Sequence, residues 1–119
     1  MKLDLISRYP ETTPEPTPLL FVHGSFSDAR VWDENFLPYF ARRGYAAHAV
    51  SLRGHGRSEG HQHLHTWRLS DYVADLTQAQ KGLLDGSLLG CIGAGSYLTS
   101  AVRKQGHKNI MAIVPEPKN

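Results

Sequence analysis

The chain has 119 residues, 40% hydrophobic and 20% charged, with seven Pro and eleven Gly, a composition that buries one modest core. Thirteen Lys+Arg against eleven Asp+Glu leave a formal net charge of +2, too weak a field for phosphate-backbone binding, so nucleic acid is excluded as a partner. One cysteine, Cys91, cannot form an intramolecular disulfide or a cysteine-based zinc site. Asp4 and Arg8 interrupt the opening residues where a signal peptide needs an apolar run, and the expectation is a cytoplasmic protein. The uncharged stretch 87–102 is shorter than the roughly 20 residues of a spanning helix and holds Ser, Thr and Gly, so no membrane span is expected.

A short strand is expected over residues 3–8, followed by an extended Pro-rich loop over 11–18. The apolar run Leu19-Leu20-Phe21-Val22 reads as a strand ended by His23-Gly24, with Ser25, Ser27 and Asp28 as N-cap oxygens for a helix. Val31, Trp32, Phe36, Leu37, Tyr39 and Phe40 recur at helical spacing, with Pro38 as a distortion and Arg42-Arg43-Gly44 as a cationic last turn and stop. Residues 45–52 read as a buried strand, and 53–65 as a long Gly- and His-rich loop. Helical period returns over 67–84, with Leu69, Tyr72, Val73, Leu76 and Ala79 on one stripe and Ser70 as the N-cap. Residues 87–89 are a short strand candidate, 95–105 a third helix, and Asn109 to Val114 a strand stopped by Pro115. Strands alternating with crossover helices predict a partial doubly wound, mainly parallel α/β sheet. The strand at Leu19 is expected between those at Tyr45 and Ser87, with the Asn109 strand outside. Ligand-binding loops then lie at the carboxyl ends of the strands, beginning at His23, Arg53, Gly90 and Pro115.

Three stretches resemble the α/β-hydrolase superfamily. Residues 18–25, PLLFVHGS, are similar to its third strand and His-Gly oxyanion loop, with Trp32 following at the usual distance. Residues 51–58, SLRGHGRS, are similar to its Arg-Gly-x-Gly-x-Ser loop, although Ser51 stands where an acidic residue is often found. Residues 71–76, DYVADL, resemble the helix that leads to the nucleophile strand. The resemblance implies an enzyme of the esterase or lysophospholipase kind, with a nucleophile on a strained Gly-x-Ser-x-Gly turn and an acid and a His later in the chain. It implies an oxyanion loop at His23, Gly24, Ser25 and Phe26, with the peptide N–H of Ser25 and that of Phe26 as donors, and a cleft loop at Arg53, Gly54, His55 and Gly56. It also puts the elbow at Gly90-Cys91-Ile92-Gly93-Ala94-Gly95, where Ile92 occupies the nucleophile place. An aliphatic side chain can neither attack a carbonyl nor yield a proton. The acid and His, which belong after the segment at Asn109 to Pro115, do not follow within the 119 residues.

Other residue types offer competing chemistry. Cys91 is a candidate displaced nucleophile, but a one-residue shift along a strand turns a side chain to the opposite face. Gly90, Gly93 and Gly95 ahead of a helix fit neither G-x-G-x-x-G nor a P-loop. His61, His63 and His65 alternate as zinc ligands would, with only Glu59 as nearby acidic support, and a solvated loop explains them as well. Ser58 suits a turn hydroxyl better than a nucleophile, and His107 comes too early in chain order to be the catalytic His. The expectation is one incomplete α/β-hydrolase domain over 1–119, made of the strand and Pro-rich loop (1–18), the best family match (19–81) and a degenerate elbow, helix and last strand (82–119). It implies no metal and no cofactor, a small-molecule ester or acyl ligand, and no stand-alone ester hydrolysis. The alternatives are a hydrolase completed by a second chain or by Cys91, and a non-catalytic binding or interaction module. The apolar segment from Asn109 to Val114 would form a sheet edge, and the chain is expected to be marginally stable or to self-associate through that edge.

Overall fold

The structure, a computed structural model, describes residues 2–16, 18–23, 27–62, 67–83, 88–91 and 110–112. Its elements in chain order are β1 (Leu5–Arg8), β2 (Leu19–Val22), α1 (Arg30–Asp33), α2 (Phe36–Arg42), β3 (Ala47–Val50), α3 (Leu69–Leu83), β4 (Leu88–Cys91) and β5 (Ile110–Ala112). The five strands form one sheet in the order β1-β3-β2-β4-β5. β3, β2, β4 and β5 run parallel, and β1 adds antiparallel to the outer edge of β3. The expected placement of the Leu19 strand between its two neighbours, with the Asn109 segment outermost, is the observed order. The third helix expected over 95–105 lies outside the described residues.

β2 is apolar at every position because both of its faces are covered. Leu20 and Val22 point to one face, where they join Val50, Leu52 and the α3 residues Val73 and Leu76 in a buried cluster. Leu19 and Phe21 point to the other, where Ala29, Trp32, Leu37, Ala47 and Ala49 complete a second cluster. Phe21 is the hub of that second layer, with its ring centroid 4.8 Å from Trp32 and 5.6 Å from Phe40. Gly90 stands in register beside Phe21 on β4. On β3, Ala47 and Ala49 face the aromatic layer, where small side chains leave room for these rings.

The single helix expected from Val31 to Gly44 is two helices, α1 and α2, with the break at Glu34 and Asn35. Pro38 has no N–H to give the Glu34 carbonyl, and its ring would collide with that carbonyl in a continuous helix. Restarting at Phe36 puts Pro38 in a first turn, where the missing donor costs nothing. The Gly44 stop is observed. Gly44 lies at φ +100°, its N–H donates to Ala41 O at 3.1 Å, and the Tyr45 N–H donates to Phe40 O at 3.0 Å, a Schellman closure. Ser70 is not the N-cap of α3, which begins one residue earlier at Leu69. The cap is instead reversed: the Asp71 carboxylate accepts the Arg68 N–H at 2.8 Å, satisfying a first-turn donor from inside the helix.

Candidate functional site

In an open parallel sheet the loops leaving the carboxyl ends of adjacent strands enclose the ligand site. Here β2 ends at Val22, β3 at Val50 and β4 at Cys91, and Val22 is in register with both of its neighbours. The chain therefore leaves β2 at His23, β3 at Ser51 and β4 toward Ile92 along one edge. Gly24, Ser25, Phe26, Ile92, Gly93 and Gly95 lie outside the described residues, as do His63, His65 and His107. What the structure does describe is how the two loops flanking that edge are fixed.

His23 is fully buried, and its Nε2 accepts the Leu52 N–H at 2.9 Å. Nε2 is thus the unprotonated nitrogen of the ring, and the imidazole ties the exit of β2 to the exit of β3. The His55 ring lies 4.9 Å from that of His23, and its Nδ1–H donates to Arg53 O at 2.9 Å. Tyr72 of α3 meets the same ring edge-on at 6.1 Å. Burial, aided by the Asp75 carboxylate, holds the Tyr72 hydroxyl above its ordinary pKa.

Arg53, in the loop that follows β3, is turned toward α3. Its NH2 group reaches Asp75 Oδ1 at 2.8 Å, its Nε–H reaches the same oxygen at 3.0 Å, and its backbone N–H donates to Asp75 Oδ2 at 2.9 Å. Asp75 is fully buried. Asp71 lies 3.7 Å from NH1, and the guanidinium stacks 4.8 Å from the Trp67 ring centroid. The hydrogen bonds to Asp75 raise the guanidinium pKa further above its ordinary value, so the group is a permanent cation committed to this helix.

The serines act as braces. Ser58 Oγ donates to Ser51 O at 2.6 Å and accepts the Asp4 N–H at 2.8 Å. Ser51 Oγ accepts the Ala29 N–H at 3.0 Å, which joins the β3 exit to the segment that leads into α1. Gly56 closes the same junction at φ +52°, where an added Cβ would stand 2.8 Å from Ser51 Oγ and 2.9 Å from Asp28 Cβ. Asp28 is itself clasped by Arg30, whose side-chain hydrogen bonds hold its pKa at about 2. Residues 2–4 cross beneath the loop: the Ser51 N–H donates to Asp4 O at 2.9 Å, and the Glu59 N–H donates to Lys2 O at 2.9 Å.

His61 Nε2 donates to Gly56 O at 2.9 Å, within the loop itself. Among the described residues no group of three or more His, Cys, Asp or Glu is placed to hold a metal ion, and no helix is long and apolar enough to cross a membrane. Sequence reasoning missed Asp75 as the anchor of Arg53 and the His23 imidazole as a brace. The spacing of Asp71 and Asp75, one helical turn apart on α3, was the available signal.

A mainly parallel sheet covered on both faces, with loops braced at its carboxyl edge, is an open α/β architecture. The chain belongs to the alpha/beta hydrolase family, whose family model matches residues 19–112. No curated protein matches it in sequence. Among solved structures it is similar to a thioesterase domain from the curacin biosynthetic pathway, at 26% identity over 98% of this chain and 44% of that one, with a TM-score of 0.78. An epoxide hydrolase of Bacillus megaterium matches at 26% identity over 97% of this chain and 40% of its own, with a TM-score of 0.71. An epoxide hydrolase from an endophytic Streptomyces matches at 25% identity over 94% of this chain and 32% of its own, with a TM-score of 0.73. The chain thus spans less than half the length of these structures.

Proposed function

We propose that this chain carries the oxyanion side of an α/β-hydrolase site and does not by itself hydrolyse carboxylic esters. The end of β4 carries the reading: Cys91 pairs with Val22 at the carboxyl edge, and the residue that follows Cys91 in the sequence is Ile92. A hydrocarbon side chain supplies neither the lone pair that attacks an acyl carbon nor a proton for a base to remove. His23, Gly24, Ser25 and Phe26 are the oxyanion loop of this reading, with the Ser25 and Phe26 N–H groups as its donors. Such donors lower a barrier only once a nucleophile has delivered charge to the carbonyl oxygen. Arg53, Gly54, His55 and Gly56 form the opposing wall, and an ester or acyl compound is the ligand between them. On this reading residues 1–119 belong to a single α/β-hydrolase domain.

The test is p-nitrophenyl acetate with the purified chain. The expected result is release no faster than in buffer. Release abolished by Cys91→Ala would overturn the reading in favour of a thiol nucleophile, and release restored by a second polypeptide would make the chain half of a working enzyme.

The Asn109 to Val114 segment is proposed as a contact between copies. β5 is paired on one side only among the described residues, which leaves its outer N–H and C=O groups open to a second chain.

A further inference from the structure

At the opposite end of the sheet, the amino ends of the parallel strands, lies a cavity of roughly 610 Å3. One wall is the end of β1 with the residues after it, including Arg8, Tyr9, Glu11 and Thr12, and the other is one side of α2, from Pro38 in its first turn to Arg42 in its last. Arg8 pairs in register with Ala47 at the start of β3, which fixes the cavity on the far side of the sheet from His23 and Arg53. The walls are braced apart: the Glu15 N–H donates to Gly44 O at 2.8 Å, and Arg8 is held by Asp33 at 2.6 Å.

The charges on this cavity have an unusual disposition. Arg8 is neutralised by Asp33, whereas Arg42 and Glu11, which line the same space with opposite charge, form no ion pair among the described residues. In water such an exposed pair gains little by closing on itself. A small molecule that carries a carboxylate and an ammonium group gains two charge-assisted hydrogen bonds from the same two side chains. Tyr9, 64% exposed, and the Pro38 ring supply apolar surface beside them.

The geometry points to a binding site for a zwitterionic amino acid or short peptide, its carboxylate on Arg42 and its ammonium on Glu11. The site is independent of the hydrolase reading, since it shares no residue with the carboxyl edge.

The test is a 1H–15N correlation titration of the full chain with the dipeptide alanylalanine, its N-acetyl form and its C-terminal amide. Saturable shifts are expected for amides of residues 8–12 and 39–44, with affinity roughly tenfold weaker for each blocked form. Arg42→Gln should remove the preference over the amide, and Glu11→Gln the preference over the N-acetyl form. Both side chains reach solvent, so neither variant threatens folding. No saturation in the millimolar range, equal affinity for the blocked forms, or discrimination unchanged in both variants would overturn the assignment.

Discussion

Arg53 and Asp75 are joined through backbone and side chain at once, the guanidinium donating to both carboxylate oxygens while the Arg53 backbone N–H donates to Oδ2. This pair locks the loop after β3 onto α3, and Asp75 is fully buried within it. Removing one partner of a buried pair leaves the other desolvated and uncompensated. Asp75→Ala is expected to cost about 3 kcal/mol in a urea melt. A loss below about 1 kcal/mol would show that water reaches Arg53 freely.

Gly56 is required for two reasons at one position, a left-handed φ of +52° and the 2.8 Å approach of Ser51 Oγ to where a Cβ would stand. Ser51 cannot retreat without releasing the Ala29 N–H. Gly56→Ala is therefore expected to destabilise the chain by about 2 kcal/mol. Calorimetry that finds the variant as stable as the parent would mean that the two loops are not in contact in solution.

His48 sits in the sheet with its Nδ1 2.7 Å from Ser7 Oγ, and burial holds its pKa below the ordinary 6.5. Below pH 6.5 the unfolded chain takes up a proton at this ring that the folded chain resists, so stability falls as pH is lowered through that window and is complete above it. His48→Gln should flatten the slope between pH 6.5 and the lower folded pKa. The clasp on Asp28, depressed from 3.8 to about 2, adds its loss only in stronger acid, so the two effects separate along a pH series. An unchanged slope in the variant would refute the assignment to His48.

The open side of β5 predicts concentration-dependent association. Size-exclusion chromatography with light scattering should show mass rising with protein concentration, and Met111→Pro, which removes a backbone donor, should reduce it. A monomer at every concentration, with a cooperative urea transition of roughly 5 kcal/mol or more, would exclude both the association and marginal stability.

The order of the strands was legible because β2 is apolar throughout while the helices repeat every three to four residues, two periods that cannot be confused here. The double break at Glu34 and Asn35 was less so. Pro38 announced a disturbance, but whether it kinks a helix or starts a new one depends on where Phe36 and Leu37 find their pocket. The site was legible as a set of loops, through His23-Gly24 and the run from Arg53 to Ser58. It was not legible as a set of directions. Nothing in the spelling of His23 says that its ring turns inward to Leu52, or that Arg53 faces α3 instead of the cleft. Those choices are made by partners 29 and 22 residues away.

The crossing of residues 2–4 under the loop that follows β3 has a bearing on the order of assembly. Lys2 and Asp4 find hydrogen-bond partners at Glu59 and Ser58, 57 and 54 residues downstream respectively. At a synthesis rate of about 5–20 residues per second, the leading segment waits roughly 3–11 s before the first of those partners emerges. Contacts of such long sequence separation form late, after β2 and β3 have met and closed most of the intervening loop. Residues 2–4 are thus among the last to dock, and they act as a latch that is thrown only when the Gly56 turn has taken its shape.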